Sequence, residues 1–138
     1  MPVVIGSARG NLVAKDESKK LFVTIGESVQ SIRGVTIQIK CPAYGQPEPK
    51  VVWFVNSTRL NGTTKYTIDA NTKSLVISKM SIEYTGVYTC IAEGVKSKSQ
   101  ASSNIVLLRK YASIFLSYHL FILNCVIWIL ILFLHICM

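Results

Sequence analysis

Two cysteines, a tryptophan and a tyrosine in the middle of the chain have spacings that constrain its fold. Trp53 comes twelve residues after Cys41, and Tyr88 comes two residues before Cys90. Both cysteines close or lie within runs in which apolar and polar residues alternate. Alternation with a period of two is typical of β-strands that bury one face. With Leu75 between them, these residues favour one small β-sandwich, a scaffold that carries no catalytic group of its own.

Short strand-like runs separated by turn signals continue through this region. Gly, Pro, Asn and Asp cluster between the runs, and no helical period appears there. This pattern indicates an all-β fold of sandwich type. The predicted strands are 36–41, 51–55, 65–68, 74–78, 86–92 and 104–108.

Charge divides the chain into unlike parts. Residues 1–110 hold all 15 Lys and Arg and all 7 Asp and Glu, whereas 111–138 hold none. We expect a polar, poorly ordered segment over 1–20, one domain over 21–108 and a hydrophobic, helical segment over 111–138. As a helix this last segment would be about 42 Å long, against a hydrocarbon core of about 30 Å. It is therefore a candidate transmembrane helix.

Three interpretations of 111–138 stay open at this point: a single-pass anchor, a removed lipid-anchor signal, and a translated noncoding stretch in a gene model. The apolar run Met1–Ile5 is too short for a signal-peptide core, so no signal peptide is visible. Either the sequence is a fragment that lacks its start, or the chain is not exported. We expect a single-pass membrane protein with its domain outside the cell.

Catalysis and metal binding find no support in the residue pattern. The histidines, His119 and His135, lie in the apolar segment, and no C-x-x-C pair occurs. We therefore expect no enzyme activity, metal or cofactor. The net charge of +8 favours polyanionic partners. The lysines are scattered without a dense run, however, which favours an ordinary solvated basic surface over a dedicated anion site. A sulfated glycan stays open as a partner, and no nucleic-acid binding is expected.

Two further features predict surface sites. The triplets that begin at Asn56 and Asn61 are N-glycosylation acceptor patterns in predicted turns. The outward positions of two neighbouring predicted strands are apolar, and a contiguous apolar patch is typical of a protein interface. The residues of this candidate interface are Val52, Phe54, Val87 and Ile91.

The ordered set of residues across 21–108 resembles an I-set immunoglobulin-like domain. It is similar to modules of cell-adhesion receptors and of matrix proteins of the punctin, papilin and hemicentin type. The residues that carry the resemblance are Cys41, Pro47, Pro49, Trp53, Leu75-x-Ile77-x-x-Met80 and Gly86-x-Tyr88-x-Cys90.

This resemblance implies a two-sheet Greek-key sandwich in which Trp53 packs on a Cys41–Cys90 disulfide. It also implies that the Tyr88 hydroxyl bonds back to the backbone before its strand. One position departs from the family pattern, because Tyr84 stands where Asp is usual. Lys65, the expected basic partner, is then left unpaired or pairs with Glu83.

The implied function is binding at a cell surface, as adhesion or receptor recognition of a protein partner, homophilic or heterophilic. Two alternatives stay open. One is an extracellular-matrix structural module that binds sulfated glycans or matrix proteins. The other is an intracellular I-set module of a filament protein, in which the cysteines stay reduced.

Overall fold

The computed structural model describes residues 2–60, 65–108, 122–132 and 134. It divides into two compact units, Met1–Leu108 and Arg109–Met138. The described residues of the first unit form twelve strands and one 3₁₀ turn, Ile82–Tyr84. The strands are β1 Val4–Ile5, β2 Asn11–Ala14, β3 Leu21–Thr24, β4 Ser28–Ser31, β5 Ile37–Lys40, β6 Ala43–Tyr44, β7 Lys50–Val55, β8 Thr58–Arg59, β9 Thr67–Ile68, β10 Leu75–Ile77, β11 Gly86–Glu93 and β12 Lys98–Leu107.

Two sheets form the sandwich. The smaller has the order β3-β5-β10-β9 and the larger the order β2-β4-β12-β11-β7-β8, while β1 pairs with β6. Most neighbours are antiparallel, but β4 lies parallel to both β12 and β2, and β3 lies parallel to β5. The predicted all-β, immunoglobulin-like sandwich is therefore confirmed.

Alternation along the strands supplies the core. Tyr88, Cys90 and Ala92 of β11 are buried, and the residues between them are more exposed. Leu75 and Ile77 of β10 bring apolar volume from the other sheet and are fully buried. The inner faces of both sheets thus close over one hydrophobic core.

The first twenty residues differ from the expected poorly ordered segment. They contain β1 and β2, and Val3, Ile5 and Ala14 join the core cluster. The sequence pattern is too short to predict strands there, because each run is only a few residues long and pairs with partners far along the chain.

Most of the segment 111–138 lies outside the described residues. Within it, residues 122–132 are described, and they are helical. Across the described part of the chain, no helix combines the length and apolar character needed to cross a membrane. The predicted transmembrane segment, 111–138, thus falls mostly outside the described residues.

Candidate functional site

The disulfide expected between the two sheets is present. Cys41 and Cys90 are bonded across 49 residues of sequence, with their Cα atoms 6.5 Å apart. Trp53 lies directly opposite Cys90 in the β7–β11 register and is almost fully buried. A covalent link beside a large buried ring fixes the spacing of the sheets.

A turn from the smaller sheet completes the surroundings of the indole. The Trp53 Nε1–H donates to the carbonyl of Lys73 at 2.9 Å. The Asp69 carboxylate accepts hydrogen bonds from the backbone N–H of Asn71 and of Thr72, and these bonds lower the pKa of Asp69. The turn therefore holds the Lys73 carbonyl where it can accept a hydrogen bond from Nε1–H, the one polar group of the buried Trp53 side chain.

Tyr88 occupies the corner that the family resemblance implies. Its hydroxyl donates to the Tyr84 carbonyl at 2.6 Å, and its ring is fully buried. Burial, together with interactions with Tyr66, raises the pKa of Tyr88. The phenol therefore stays neutral and acts as a fixed hydrogen-bond donor.

An aromatic cluster replaces the usual acidic residue at this end of the domain. Tyr66 meets Tyr84 edge-on at 5.5 Å and Tyr88 at 6.0 Å between ring centroids. The Lys65 ammonium lies 5.2 Å from the Tyr84 ring centre and donates to the backbone carbonyl of Glu83 at 3.2 Å. Cation–π and carbonyl contacts thus take the place of the ion pair. Sequence reasoning missed this cluster, because only Tyr66 adjoins Lys65 in the sequence; the available signal was an aromatic residue, Tyr84, at the position where Asp is usual.

The outer face of the larger sheet carries the apolar residues predicted as an interface. Val87 is 44% exposed, and Phe54 and Ile91 are half-buried. Val52 is only 6% exposed because β11 lies on one side and the chain through Leu60 on the other, so it adds little accessible area. We call Phe54, Val87 and Ile91 the β7–β11 patch.

A polar residue lies within this patch, because Thr89 stands between Val87 and Ile91 on β11 and opposite Phe54. Its hydroxyl lies 2.7 Å from that of Ser102 on β12. Toward the end of the same hairpin, Lys98 and Glu93 form an exposed ion pair at 4.0 Å. Protein interfaces commonly combine apolar side chains with polar groups that can form hydrogen bonds.

Asn56 lies in a two-residue turn next to the patch. Asn56 and Ser57 have φ angles of 49° and 68°, and the flanking Val55 and Thr58 are paired. The Asn56 side-chain oxygen accepts a hydrogen bond from the Val87 N–H at 2.9 Å, and its amide group lies against Gly86. The other acceptor, Asn61, lies outside the described residues.

Chemistry-bearing clusters are missing from the part of the chain that the structure describes. No group of three His, Cys, Asp or Glu there is arranged to hold a metal ion. Every buried side-chain nitrogen and oxygen among the described residues has a hydrogen-bond partner.

Comparison with known proteins gives this sandwich its family. A sequence model of the immunoglobulin I-set domain matches residues 20–107. The chain belongs to the immunoglobulin I-set family.

Relatives of the I-set domain include matrix and cell-surface proteins. It is 30% identical over 109 residues to human ADAMTS-like protein 3, covering 79% of this chain and 6% of that protein. It is 29% identical over 111 residues to rat Contactin-6, covering 76% of this chain and 10% of that protein. The chain thus spans a tenth or less of these relatives.

Solved structures give the same fold. The chain superposes on immunoglobulin domains 1–5 of Sidekick-1 with a TM-score of 0.58, at 19% identity, covering 78% of this chain and 19% of that one. It superposes on the neural ectodermal development factor IMP-L2 with a TM-score of 0.53, at 25% identity, covering 57% and 38%. I-set domains of this kind occur in adhesion and matrix proteins and are typically binding modules.

Proposed function

We propose that this I-set domain is a non-enzymatic recognition module that binds a protein partner through the β7–β11 patch. The observation that carries the proposal is the 44% exposure of Val87 beside the half-buried Phe54 and Ile91. None of these three residues belongs to the described hydrophobic core cluster. Their apolar character is therefore not needed to pack the sandwich, and a partner would bury it.

Burial of such a patch is worth enough to matter for binding. Covering a large apolar side chain contributes about 1.5–3 kcal/mol. Three partly covered side chains would therefore anchor the centre of a weak to moderate interface, with nearby polar groups adding specificity. The paired strands β7 and β11 hold these side chains rigidly, which lowers the entropy lost on association.

We further propose that the module works outside the cell and that Asn56 carries a glycan. The bonded cysteines require an oxidising compartment, where the acceptor triplet becomes available. A sugar on Asn56 would lie beside Val87, because the two residues are hydrogen-bonded. A partner would then approach the patch from the Ile91 end, about 13 Å along the strand.

The test uses a multimeric form of the full chain on an array of purified extracellular proteins, with sedimentation velocity for self-association. Val87→Asp should abolish the specific signals. The control Val106→Asp, on the same sheet face at a similarly exposed position, should keep them. Signals that survive Val87→Asp would refute the patch as the binding surface.

Thr58→Ala provides the control for glycosylation. It removes the acceptor triplet while leaving the Asn56 amide and its bond to Val87 in place. Protein secreted from animal cells should lose one glycan mass in this variant. No mass change would remove the proposal that Asn56 is modified.

A second candidate function, binding of sulfated glycans, rests on a groove in the smaller sheet. The groove encloses about 270 Å³ and is lined in part by Phe22, Gln38, Lys40 and Thr72. The Lys20 ammonium lies 5.2 Å from the centre of the exposed Phe22 ring. An aromatic ring, polar side chains and two ammonium groups suit a sulfated sugar.

Heparin chromatography distinguishes binding at this groove from non-specific attraction by the net positive charge. Lys20→Ala/Lys40→Ala should elute at lower salt than Lys96→Ala/Lys98→Ala, although both variants lose two charges. Equal elution of the two variants would leave only non-specific attraction. Failure of the unmodified chain to be retained at low salt would exclude the candidate.

The intracellular alternative is tested by thiol labelling of the protein in its own cells. We expect neither Cys41 nor Cys90 to react, because the two are bonded. Labelling of both would instead favour a reduced filament module.

A further inference from the structure

Residues 2–8 lie as an extended segment across one end of the sandwich. Val4 and Ile5 pair with Tyr44 and Ala43, and the Gly6 N–H donates to the Pro42 carbonyl at 2.8 Å. β1 and β6 form a separate two-stranded sheet, held by the backbone pairing that also lets an extended peptide bind beside a strand. The segment precedes residues 20–107, which match the family.

Side chains of the segment alternate between buried and exposed. Val3 and Ile5 are each 8% exposed, whereas Val4 between them is 53% exposed. The Val3 N–H also donates to the Ser97 hydroxyl at 2.9 Å. Buried apolar residues two apart, with backbone bonds between them, are what a strand-binding groove recognises.

The groove is shaped to admit Val3. A Cβ added at Gly94 would lie 2.5 Å from a Val3 methyl carbon, and one at Gly45 would lie 3.3 Å from it. Gly94 opens the β11–β12 turn and Gly45 follows β6, so both walls belong to the matched domain. The absence of side chains at these two positions makes the pocket that Val3 fills.

We propose that this groove is a binding site for an extended segment with apolar residues at alternate positions, and that residues 2–8 occupy it in cis. Occupied, the groove closes this loop end of the domain to partners. The inference does not depend on the β7–β11 patch, because the two surfaces share no residue. The segment ends at Ala8, whose N–H donates to the Ile25 carbonyl at 2.9 Å, and the following Arg9 is exposed.

The experiment makes the ligand separable after folding. A specific protease site replaces residues 7–10 in the full chain, and the folded protein is cleaved and diluted so that the segment dissociates. A fluorescent peptide of residues 2–8 is then titrated and followed by anisotropy. We expect saturable binding to the cleaved protein and none to the uncleaved protein.

Peptides with single substitutions test whether the groove recognises apolar side chains at alternate positions. Peptides with Val3→Asp or Ile5→Asp should bind at least about tenfold more weakly, because their buried side chains would carry a charge. The Val4→Asp peptide should bind like the parent peptide. Equal binding of the Val3→Asp and Val4→Asp peptides, or no saturable binding to cleaved protein that keeps its near-UV circular dichroism, would overturn the proposal.

A second measurement needs no cleavage. Gly94→Ala in the full chain places a methyl group against Val3 and should expel the segment. The Gly6 amide, which donates to Pro42, should then exchange its hydrogen at least about tenfold faster, while amides of β11 keep their protection. Unchanged exchange at Gly6 would contradict a groove that depends on the space at position 94.

Discussion

Removal of the disulfide tests how far this sandwich depends on its covalent link. The perturbation is Cys41→Ala/Cys90→Ala in the full chain. The bond closes a loop of 49 residues of sequence. In the chain-entropy relation, a loop of that size costs the unfolded state about 14 cal/mol/K, which is about 4 kcal/mol at 25 °C. Because domains of this size are stable by only about 5–15 kcal/mol, the loss should be severe.

Urea unfolding measures this loss. A Trp128→Phe background leaves Trp53 as the one tryptophan, so fluorescence reports on the ring beside the disulfide. The midpoint should fall to low urea, and the slope of the transition should rise because the unfolded chain is no longer cross-linked. Far-UV circular dichroism follows the strands in parallel.

Two controls distinguish the stability lost with the cross-link from the stability lost with the volume of the sulfur atoms. Cys41→Ala/Cys90→Val restores most of the volume, so its difference from the double Ala variant reports the cavity. The reduced, unmodified chain keeps both sulfur atoms and loses only the bond. A loss below about 1 kcal/mol in the reduced chain would refute the argument that loop closure stabilises the domain.

Four further predictions concern the aromatic corner and the turn below Trp53. Tyr88→Phe should cost about 1–3 kcal/mol in urea unfolding, because the Tyr84 carbonyl loses its donor; a neutral result would show that water replaces the hydroxyl. Burial raises the pKa of Tyr88, so the contribution of this residue to stability is complete below the pKa of an unfolded tyrosine, near 10, and is lost as pH rises beyond it. Absorbance titration at 295 nm should therefore show one tyrosine that ionises only on unfolding. Normal titration of every tyrosine would be inconsistent with this. Tyr84→Asp should change stability by less than about 1 kcal/mol, because a partly exposed ion pair with Lys65 replaces the edge contact with Tyr66; a larger change in either direction would contradict it. Asp69→Asn should flatten the acid side of the stability profile, because a carboxylate with a lowered pKa stabilises above its unfolded pKa and loses this effect as pH falls through the folded value; an unchanged profile from pH 5 to 2 would argue against it.

The centre of the fold could be predicted from sequence because its strands carry their own signal. The run 36–41 and the run 86–92 alternate cleanly, so the buried face of each is visible without a partner. The disulfide and the corner tyrosine came from the ordered spacing of the family pattern. In these segments the residues of the strand itself determine which face is buried, so the sequence alone suffices to predict it.

Other parts depend on distant partners and gave no such signal. β12 begins at Lys98, six residues before the predicted strand, because Ser and Gln positions there pair with β11 along its whole length. β1 is a strand only because Ala43 and Tyr44 offer an edge. The burial of Val52 likewise follows from the chain beside it, which alternation alone does not encode. Such features are properties of pairing, and single-segment patterns miss them.

The parallel ladders that join β4 to β2 and to β12 have a mechanical consequence. All three strands run in one direction, so tension drawn through the chain before β2 and after β12 acts along the ladders. Loaded in this way, the hydrogen bonds of a ladder stretch together, whereas a pull across the strands would break them in succession. A domain that transmits force along this axis would resist extension until a whole ladder slides at once.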